Sequence, residues 1–250
     1  MTEKIPGIQT EQSSEHERSV LAHITFSRHE ETRYTNQYPD ITEDAVRRAQ
    51  NKGEAITTKK GTPETIIYSP AVRARGTADA IHTGVMEKND GIAVGTHQSR
   101  QIRPSDLPNR EKAQKVFASI GNQEEIAKHH HVDGGVFTDG TVIETAESRR
   151  TRLYRALEYF IRSLGTQKNN RKDKVPHVVI VSHYELVSIL LSDVFGDLKQ
   201  TFDRYNVPEF GEHVDVTLLQ TDDPNIVTVE VDCDGKIARR DFDRKKRLFA

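Results

Sequence analysis

The chain has 250 residues, with 36 Lys or Arg against 38 Asp or Glu and a formal net charge of −2. A nearly neutral chain has no general electrostatic attraction for nucleic acid or for an anionic membrane surface, so we expect neither as a partner. Any anion that it binds must be held by local charge. The length is sufficient to bury a full hydrophobic core.

The cysteine count and the first residues indicate the cellular setting. The single cysteine, Cys233, cannot form an internal disulfide, as is usual in a reducing compartment, and is interpreted as a strand residue. Residues 1–19 are polar, contain no apolar stretch typical of a signal peptide and have the composition of a flexible tail. We therefore expect a cytoplasmic protein with one folded domain over residues 20–250.

Strand and helix patterns alternate in the first part of that domain. Residues 20–27 are typical of a buried strand, and Thr42, followed by two acidic residues, predicts the start of a helix that runs to about residue 58. Residues 64–68 predict a short β-branched strand. Ser69-Pro70 then predicts a helix with proline in its first turn.

The middle of the chain has weaker patterns. Short strands are predicted at residues 92–94 and near Ile102, and residues 110–131 have a helical pattern. His129, His130 and His131 project in different directions from a helix, whereas a helical metal pair prefers positions i and i+4. We interpret them as a solvated helix end and predict no metal site.

The second half completes the predicted fold. Residues 144–164 have the pattern of a long amphipathic helix, and the uniformly apolar residues 178–181 predict a central strand covered on both faces. A helix is predicted over residues 184–195, and a hairpin over residues 214–231. Basic residues 239–247 are interrupted by two acids and are interpreted as a surface segment. The predicted fold is an α/β three-layer sandwich whose mainly parallel central sheet is flanked by helices and closed by an antiparallel piece.

Basic residues follow three of the predicted strands. Arg28-His29 ends the first strand, Arg73 follows the strand over residues 64–68, and His183 follows residues 178–181. Ligands of open α/β sheets bind beyond the carboxyl ends of strands, so these side chains can converge if the strands are neighbours. A transferring phosphoryl group carries charge on three oxygens, and the planar fork of Arg suits it. We predict Arg28 and Arg73 as the phosphate-binding pair.

The two histidines complete this hypothesis. A neutral imidazole can attack phosphorus when its other nitrogen donates to a fixed acceptor, and we assign that role to His29. His183 would donate a further hydrogen bond to the transferring oxygens. Taken singly, each residue also has a simpler interpretation: Arg73 could lie on a solvated helix face, and His183 could be a core histidine with satisfied hydrogen bonds. The conjunction favours phosphoryl transfer.

These segments resemble the histidine phosphatase superfamily, also called the phosphoglycerate mutase-like family. Residues 28–32 (RHEET) resemble its Arg-His-Gly-Glu-Thr, residues 69–78 (SPAVRARGTA) are similar to its Ser-Pro-Leu-x-Arg-Ala-x-x-Thr-Ala, and Glu147-Ser148 with Arg152 resembles its Glu-Ser and following Arg. The resemblance implies a phosphoglycerate mutase-like fold, a phosphohistidine on His29 and no metal or organic cofactor. It also implies a phosphate pocket, formed by Arg28, Arg73 and His183, with Thr35 as a further substrate contact.

The chain departs from the family pattern beside this pocket. Glu30 stands where the family has Gly, so its carboxylate must point away from a bound phosphate. The family's catalytic Glu has no clean counterpart, yet the leaving oxygen needs a proton donor and the hydrolytic water needs a base. Glu185, two residues after His183, is the first candidate, and Glu111 and Asp106 come next. Glu185 and Glu111 could instead be first-turn helix acids that complement the dipole.

The sequence thus predicts a cofactor-independent phosphomonoesterase that acts on a small-molecule phosphomonoester or a phosphoprotein. A phosphoglycerate mutase is less favoured, because the Trp-Asn segment of mutases appears here as Tyr34-Thr35. A binding module that retains the phosphate pocket without turnover is the alternative from another functional class.

Overall fold

The computed structural model describes residues 18–32, 40–89, 93–121, 123–131, 140–170 and 174–250. The strands in these ranges are β1 (Val20–Arg28), β2 (Thr65–Tyr68), β3 (Gly95–Gln98), β4 (His177–Ser182), β5 (His213–Gln220), β6 (Ile226–Cys233), β7 (Lys236–Asp243) and β8 (Leu248–Phe249). The helices are α1 (Glu43–Lys60), α2 (Val72–Glu87), α3 (Arg110–Ile120), α4 (Gln123–His131), α5 (Ala146–Asn170), α6 (Tyr184–Phe195) and α7 (Leu198–Phe202).

The strands form one sheet in the order β3-β2-β4-β1-β5-β6-β7-β8. The four strands from β3 to β1 are parallel, and every pairing from β1–β5 onward is antiparallel. The predicted α/β fold is confirmed, and its antiparallel part is longer than the predicted hairpin. Residues 236–243, most of which were interpreted as a surface segment, form β7, because one face of this strand packs on the core through Phe242.

Helices cover both faces of the parallel part. Every residue of β4 is buried, as the uniformly apolar sequence predicts. Val178 and Ile180 belong to the core cluster formed with α5 and α6, whereas Val179 and Val181 belong to the cluster formed with α1 and α2. Successive side chains of a strand point to opposite faces, so β4 serves both cores.

Helix α1 begins and ends where its sequence predicts. The Oγ1 of Thr42 accepts a hydrogen bond of 3.2 Å from the backbone N–H of Ala45, which satisfies one of the free donors of the first turn. Acidic residues in the first turn and basic residues in the last turn complement the helix dipole. This helix packs on α2, and the two helices meet at glycines, Gly53 and Gly84, where a Cβ would overlap the backbone of the opposite helix.

Three local predictions need correction. Pro70 precedes α2, which begins at Val72 after Ala71, so proline is not in the first helical turn. The helix predicted over residues 110–131 is two helices, because Gly121 adopts a left-handed conformation (φ +84°) at the end of α3. Of the strand predicted at residues 92–94, residues 93 and 94 are described and precede β3 (Gly95–Gln98), and Ile102 belongs to a 3₁₀ turn.

Among the described helices, none combines the length and the apolar composition that crossing a lipid bilayer requires. The side chains of His129, His130 and His131, which belong to α4, lie outside the described part of the structure.

Candidate active site

Strand register brings the predicted site residues together. In the parallel pair of β1 and β4, Arg28 is opposite Ser182, so the next residues of the two strands, His29 and His183, lie side by side. Their ring centroids are 5.1 Å apart. On the other side of β4, Tyr68 is opposite Val181, which places the following residue, Ser69, 2.8 Å from His183 Nε2.

His29 is neutral and holds its proton on Nδ1. Nδ1 lies 2.7 Å from the backbone carbonyl oxygen of Glu30, and a carbonyl can only accept, so Nδ1 is the protonated nitrogen. Nε2 accepts a hydrogen bond of 2.9 Å from Arg73 Nε. Burial, and next the charge of Arg73, hold the pKa of His29 well below its usual range. The imidazole thus presents an unprotonated Nε2, the form that a nucleophile requires.

His183 is also neutral, and both of its ring nitrogens have partners. Nδ1 lies 3.2 Å from Arg73 Nη2, which can only donate, so the proton of this ring is on Nε2 and is directed to Ser69 Oγ. Burial, followed by the neighbouring His29 and Arg73, lowers the pKa of His183 well below its usual range. Donation from Nδ1 to a phosphoryl oxygen therefore requires a proton, and a bound anion favours its uptake.

Arg73 connects the two imidazoles. Its guanidinium donates to His29 and to His183, and it forms no ion pair with any carboxylate in the described ranges. The backbone carbonyl of Arg73 accepts from Thr77 Oγ1, which itself accepts the backbone N–H of Glu30. The cation is therefore fixed in place at the strand ends without a neutralising anion next to it.

Arg28 is fixed by residues that the sequence did not indicate. Its guanidinium is almost fully buried and donates to Asn206 Oδ1 (3.0 Å) and to the carbonyl of Pro208 (2.9 Å). It also stacks on Phe210, 3.8 Å from the ring centroid, and lies 4.8 Å from the ring of Tyr184. Asn206 and Phe210 belong to the connection between α7 and β5, where no motif identified them.

The Glu30 side chain points away from the two histidines. Its carboxylate is 2% exposed and lies 3.2 Å from Arg48 Nε and 3.7 Å from Lys52 Nζ, both on α1. A Cβ on Gly211 would overlap this carboxylate, so a glycine is needed there. The carboxylate therefore points away from the predicted phosphate pocket, as the sequence requires.

Glu185 lies in the first turn of α6, beside a buried arginine. Its Oε1 accepts from Ser105 Oγ at 3.5 Å, and Ser105 Oγ in turn accepts from Arg149 Nη1 at 3.3 Å. Arg149 is 1% exposed; burial lowers its pKa, and the charge of Glu185 is the largest opposing influence. Arg149, which the sequence did not indicate, therefore joins Glu185 to the loop that contains Ser105.

The other predicted site residues lie in different surroundings. Glu111 is exposed and pairs with Lys115 one turn along α3. Asp106 pairs with Arg103, and this hydrogen-bonded partner lowers the pKa of Asp106. Thr35 lies outside the described residues.

Arg152, which the sequence matched to the Arg after the family's Glu-Ser, forms a buried ion pair. Arg152 forms a buried bidentate pair with Glu144, at 3.2 and 2.6 Å, and donates to the carbonyls of Gln101 and Arg103. Glu147, which the sequence pattern aligned with the family motif, is exposed. Arg152 thus anchors the loop after β3.

Comparison with solved structures shows that the chain has the predicted fold, that of the histidine phosphatases. It is similar to the mycobacterial glucosyl-3-phosphoglycerate phosphatase Rv2419c, with a TM-score of 0.58 and 16% identity, over 84% of this chain and 97% of that one. For mycobacterial hydrolase 2 the TM-score is 0.61, with 15% identity over 87% of this chain and 91% of that one. For YhfR of Bacillus stearothermophilus the TM-score is 0.54, with 15% identity over 86% and 97%. No protein-family model and no curated protein matches the chain.

Proposed function

We propose that this protein is a phosphomonoester hydrolase with His29 as its nucleophile. The observation that carries the proposal is the arrangement of Arg73, a cation without a carboxylate partner in the described ranges, between two neutral imidazoles. An anion with several oxygens can take over the N–H groups of Arg73 and so free His29 Nε2 for attack. Phosphoryl groups have this charge and shape.

The proposed reaction has two steps. Nε2 of His29 attacks phosphorus, the P–N bond forms and the P–O bond to the leaving group breaks. Nδ1 keeps its proton, and its hydrogen bond to the Glu30 carbonyl stabilises the positive charge that develops on the ring. Arg28 and Arg73 bind the equatorial oxygens. Water then attacks the same phosphorus, the P–N bond breaks, and inorganic phosphate leaves.

A carboxylate completes both steps. It gives a proton to the leaving oxygen in the first step and takes one from water in the second. Glu185 is the preferred candidate, because it lies in the first turn of the helix that begins directly after His183. Asp106 is less suitable, since its ion pair with Arg103 keeps it ionised, and Glu111 pairs with Lys115 in solvent.

The substrate class is an extension of this proposal. One structural neighbour is a phosphatase of glucosyl-3-phosphoglycerate, a small phosphomonoester. We propose a phosphomonoester of this kind, or a phosphoprotein, as the substrate. A phosphate-binding module without turnover is the second candidate, because neither His29 nor His183 is hydrogen-bonded to a carboxylate in the described ranges, and Glu185 contacts Ser105 instead.

Replacement of the nucleophile tests the proposal. We expect His29→Ala to abolish hydrolysis of an aryl phosphate, whereas His97→Ala, on the exposed edge strand β3, should leave the rate unchanged. Acid hydrolyses the P–N bond of phosphohistidine. The reaction should therefore be quenched with base, and the intermediate should be sought by mass spectrometry under alkaline conditions. Full turnover in the His29 variant would overturn the assignment, and phosphate binding without any turnover in the native protein would favour the binding module.

A further inference from the structure

Glu30 stands where the resemblance predicts glycine, and its side chain is held by specific contacts. Its carboxylate is 2% exposed, lies between Arg48 and Lys52 of α1, and fills the space left by the missing side chain of Gly211. Gly211 has a left-handed conformation (φ +72°), and its N–H donates to the carbonyl of His29 at 3.2 Å. The same pocket thus holds Glu30, which follows the nucleophile in the chain, and Gly211, which is hydrogen-bonded to the carbonyl of the nucleophile.

The backbone of Glu30 contacts the nucleophile directly. Its carbonyl oxygen accepts the Nδ1–H of His29 at 2.7 Å, and its N–H donates to Thr77 Oγ1 at 3.0 Å. A neutral imidazole can hold its proton on either nitrogen, and the hydrogen bond at one nitrogen decides which tautomer forms. Arg73 also donates to Nε2, but a phosphoryl group that takes over the N–H groups of Arg73 removes this contact. The Glu30 carbonyl is then the group that holds the proton on Nδ1 and leaves Nε2 free to attack.

We infer that the Glu30 side chain is a positioning residue, which anchors its own carbonyl to α1 and so keeps His29 in the tautomer with a free Nε2. The anchor is the pairing of the carboxylate with Lys52, a largely buried cation that also lies 3.4 Å from Ser27 Oγ beneath the site. Arg48, which is half exposed, pairs with the second carboxylate oxygen. This inference rests on the proposed function only for its kinetic consequence.

The tautomer can be measured without turnover. The measurement is made with saturating inorganic phosphate, which takes over the N–H groups of Arg73. In the full chain labelled with ¹⁵N-histidine, long-range ¹H–¹⁵N spectra at pH 7.5 should then show the proton of His29 on Nδ1, with the His29→Ala spectrum identifying the signals. We expect Glu30→Gln to shift His29 towards a mixture of tautomers. Glu31→Gln is the matched control, because the Glu31 side chain is exposed and pairs with Nη2 of the same Arg48 at 3.6 Å. An unchanged His29 tautomer in Glu30→Gln would overturn the inference, whatever the rates are.

Kinetics provide the second measurement. With an aryl phosphate, Glu30→Gln should lower kcat by about 10- to 100-fold, as misplaced catalytic groups do, with KM changed less than about two-fold.

A double variant separates this role from a purely structural one. Glu30→Gln leaves Lys52 buried without its carboxylate, so the double variant Glu30→Gln/Lys52→Gln restores charge balance and should restore thermal stability. We expect kcat of the double variant to stay low. If kcat recovered together with stability, the role of Glu30 would be purely structural and the inference would be wrong. If the native protein proved inactive, the tautomer measurement would still decide the question.

Discussion

At the scale of single residues, the site is organised by what each group can donate or accept. Arg73 can only donate, so its two contacts fix the acceptor nitrogens of both histidines. The Glu30 carbonyl can only accept, so it fixes the remaining proton of His29. The protonation states of the two imidazoles therefore follow from their neighbours, and they leave the pocket positively charged before an anion binds.

The identity of the proton donor is the prediction that belongs to this scale. We expect Glu185→Gln to lower kcat for an alkyl phosphate by about 10²-fold, the usual contribution of general acid catalysis, and to have a smaller effect on an aryl phosphate with a better leaving group. Glu111→Gln, which removes an exposed acid paired with Lys115, serves as the control and should leave both rates unchanged. Equal losses on both substrates would exclude proton donation as the role of Glu185.

At the scale of elements, the position of α2 against α1 determines where Arg73 lies. Arg73 is in the first turn of α2, and this helix approaches α1 closely at two glycines. Gly84 contacts the carbonyl of Gln50, and Gly53 contacts the carbonyl of Ile81, so each helix packs directly on the backbone of the other. A side chain at either position would separate the helices and move the guanidinium.

We expect Gly84→Ala to destabilise the protein by about 1–3 kcal/mol, because overpacking a close contact forces the backbone to shift. Alanine favours a helix interior by about 1 kcal/mol over glycine, but the overlap is with rigid backbone and should dominate. Thr83→Ala, at an exposed position on the same helix, should change stability by less than about 0.5 kcal/mol. Urea denaturation of the three proteins measures the difference, and a Gly84 variant as stable as the native protein would contradict this packing argument.

At the scale of the whole molecule, burial of neutral histidines couples folding to pH. Burial is the largest cause that lowers the pKa of each of these side chains in the described structure: His23, His29, His177, His183 and His213. The unfolded chain titrates its histidines near pH 6.5, so below that pH it binds more protons than the folded chain. The contribution of these histidines to the free energy of unfolding is therefore fully present above pH 6.5, and it is lost as the pH falls towards their lowered pKa values.

His177 gives this prediction a magnitude. Burial lowers its pKa from the usual 6.5 to about 4, which corresponds to a loss of about 3 kcal/mol in the free energy of unfolding between pH 7 and pH 4. We expect the urea midpoint to decrease steadily from pH 7.5 to pH 5. In His177→Gln the decrease, measured relative to the variant's own value at pH 7.5, should be smaller. A midpoint independent of pH over this range would show that the histidines titrate normally in the folded protein.

The sequence by itself determined the elements and the residues that meet at the strand ends. Apolar runs located β1 and β4, because strands buried in a sheet are rich in apolar residues, and apolar residues at helical spacing located α5. Thr42 located the start of α1 through a local hydrogen bond. Parallel strands end on the same side, so these local patterns place Arg28, His29 and His183 at one edge of the sheet. The pairing of β1 with β4, which sets the two histidines side by side, is decided by the tertiary structure.

The tertiary structure decided what surrounds those residues. Asn206, Phe210 and Arg149 reach the site from loops and helices distant in the chain, and no short-range pattern indicates where such segments fold. The direction of the Glu30 carboxylate likewise depends on Lys52 and Gly211, which are 22 and 181 residues further along. The sequence gives the identity of each side chain. Its orientation depends on a partner from another segment, and such segments meet only in the folded protein.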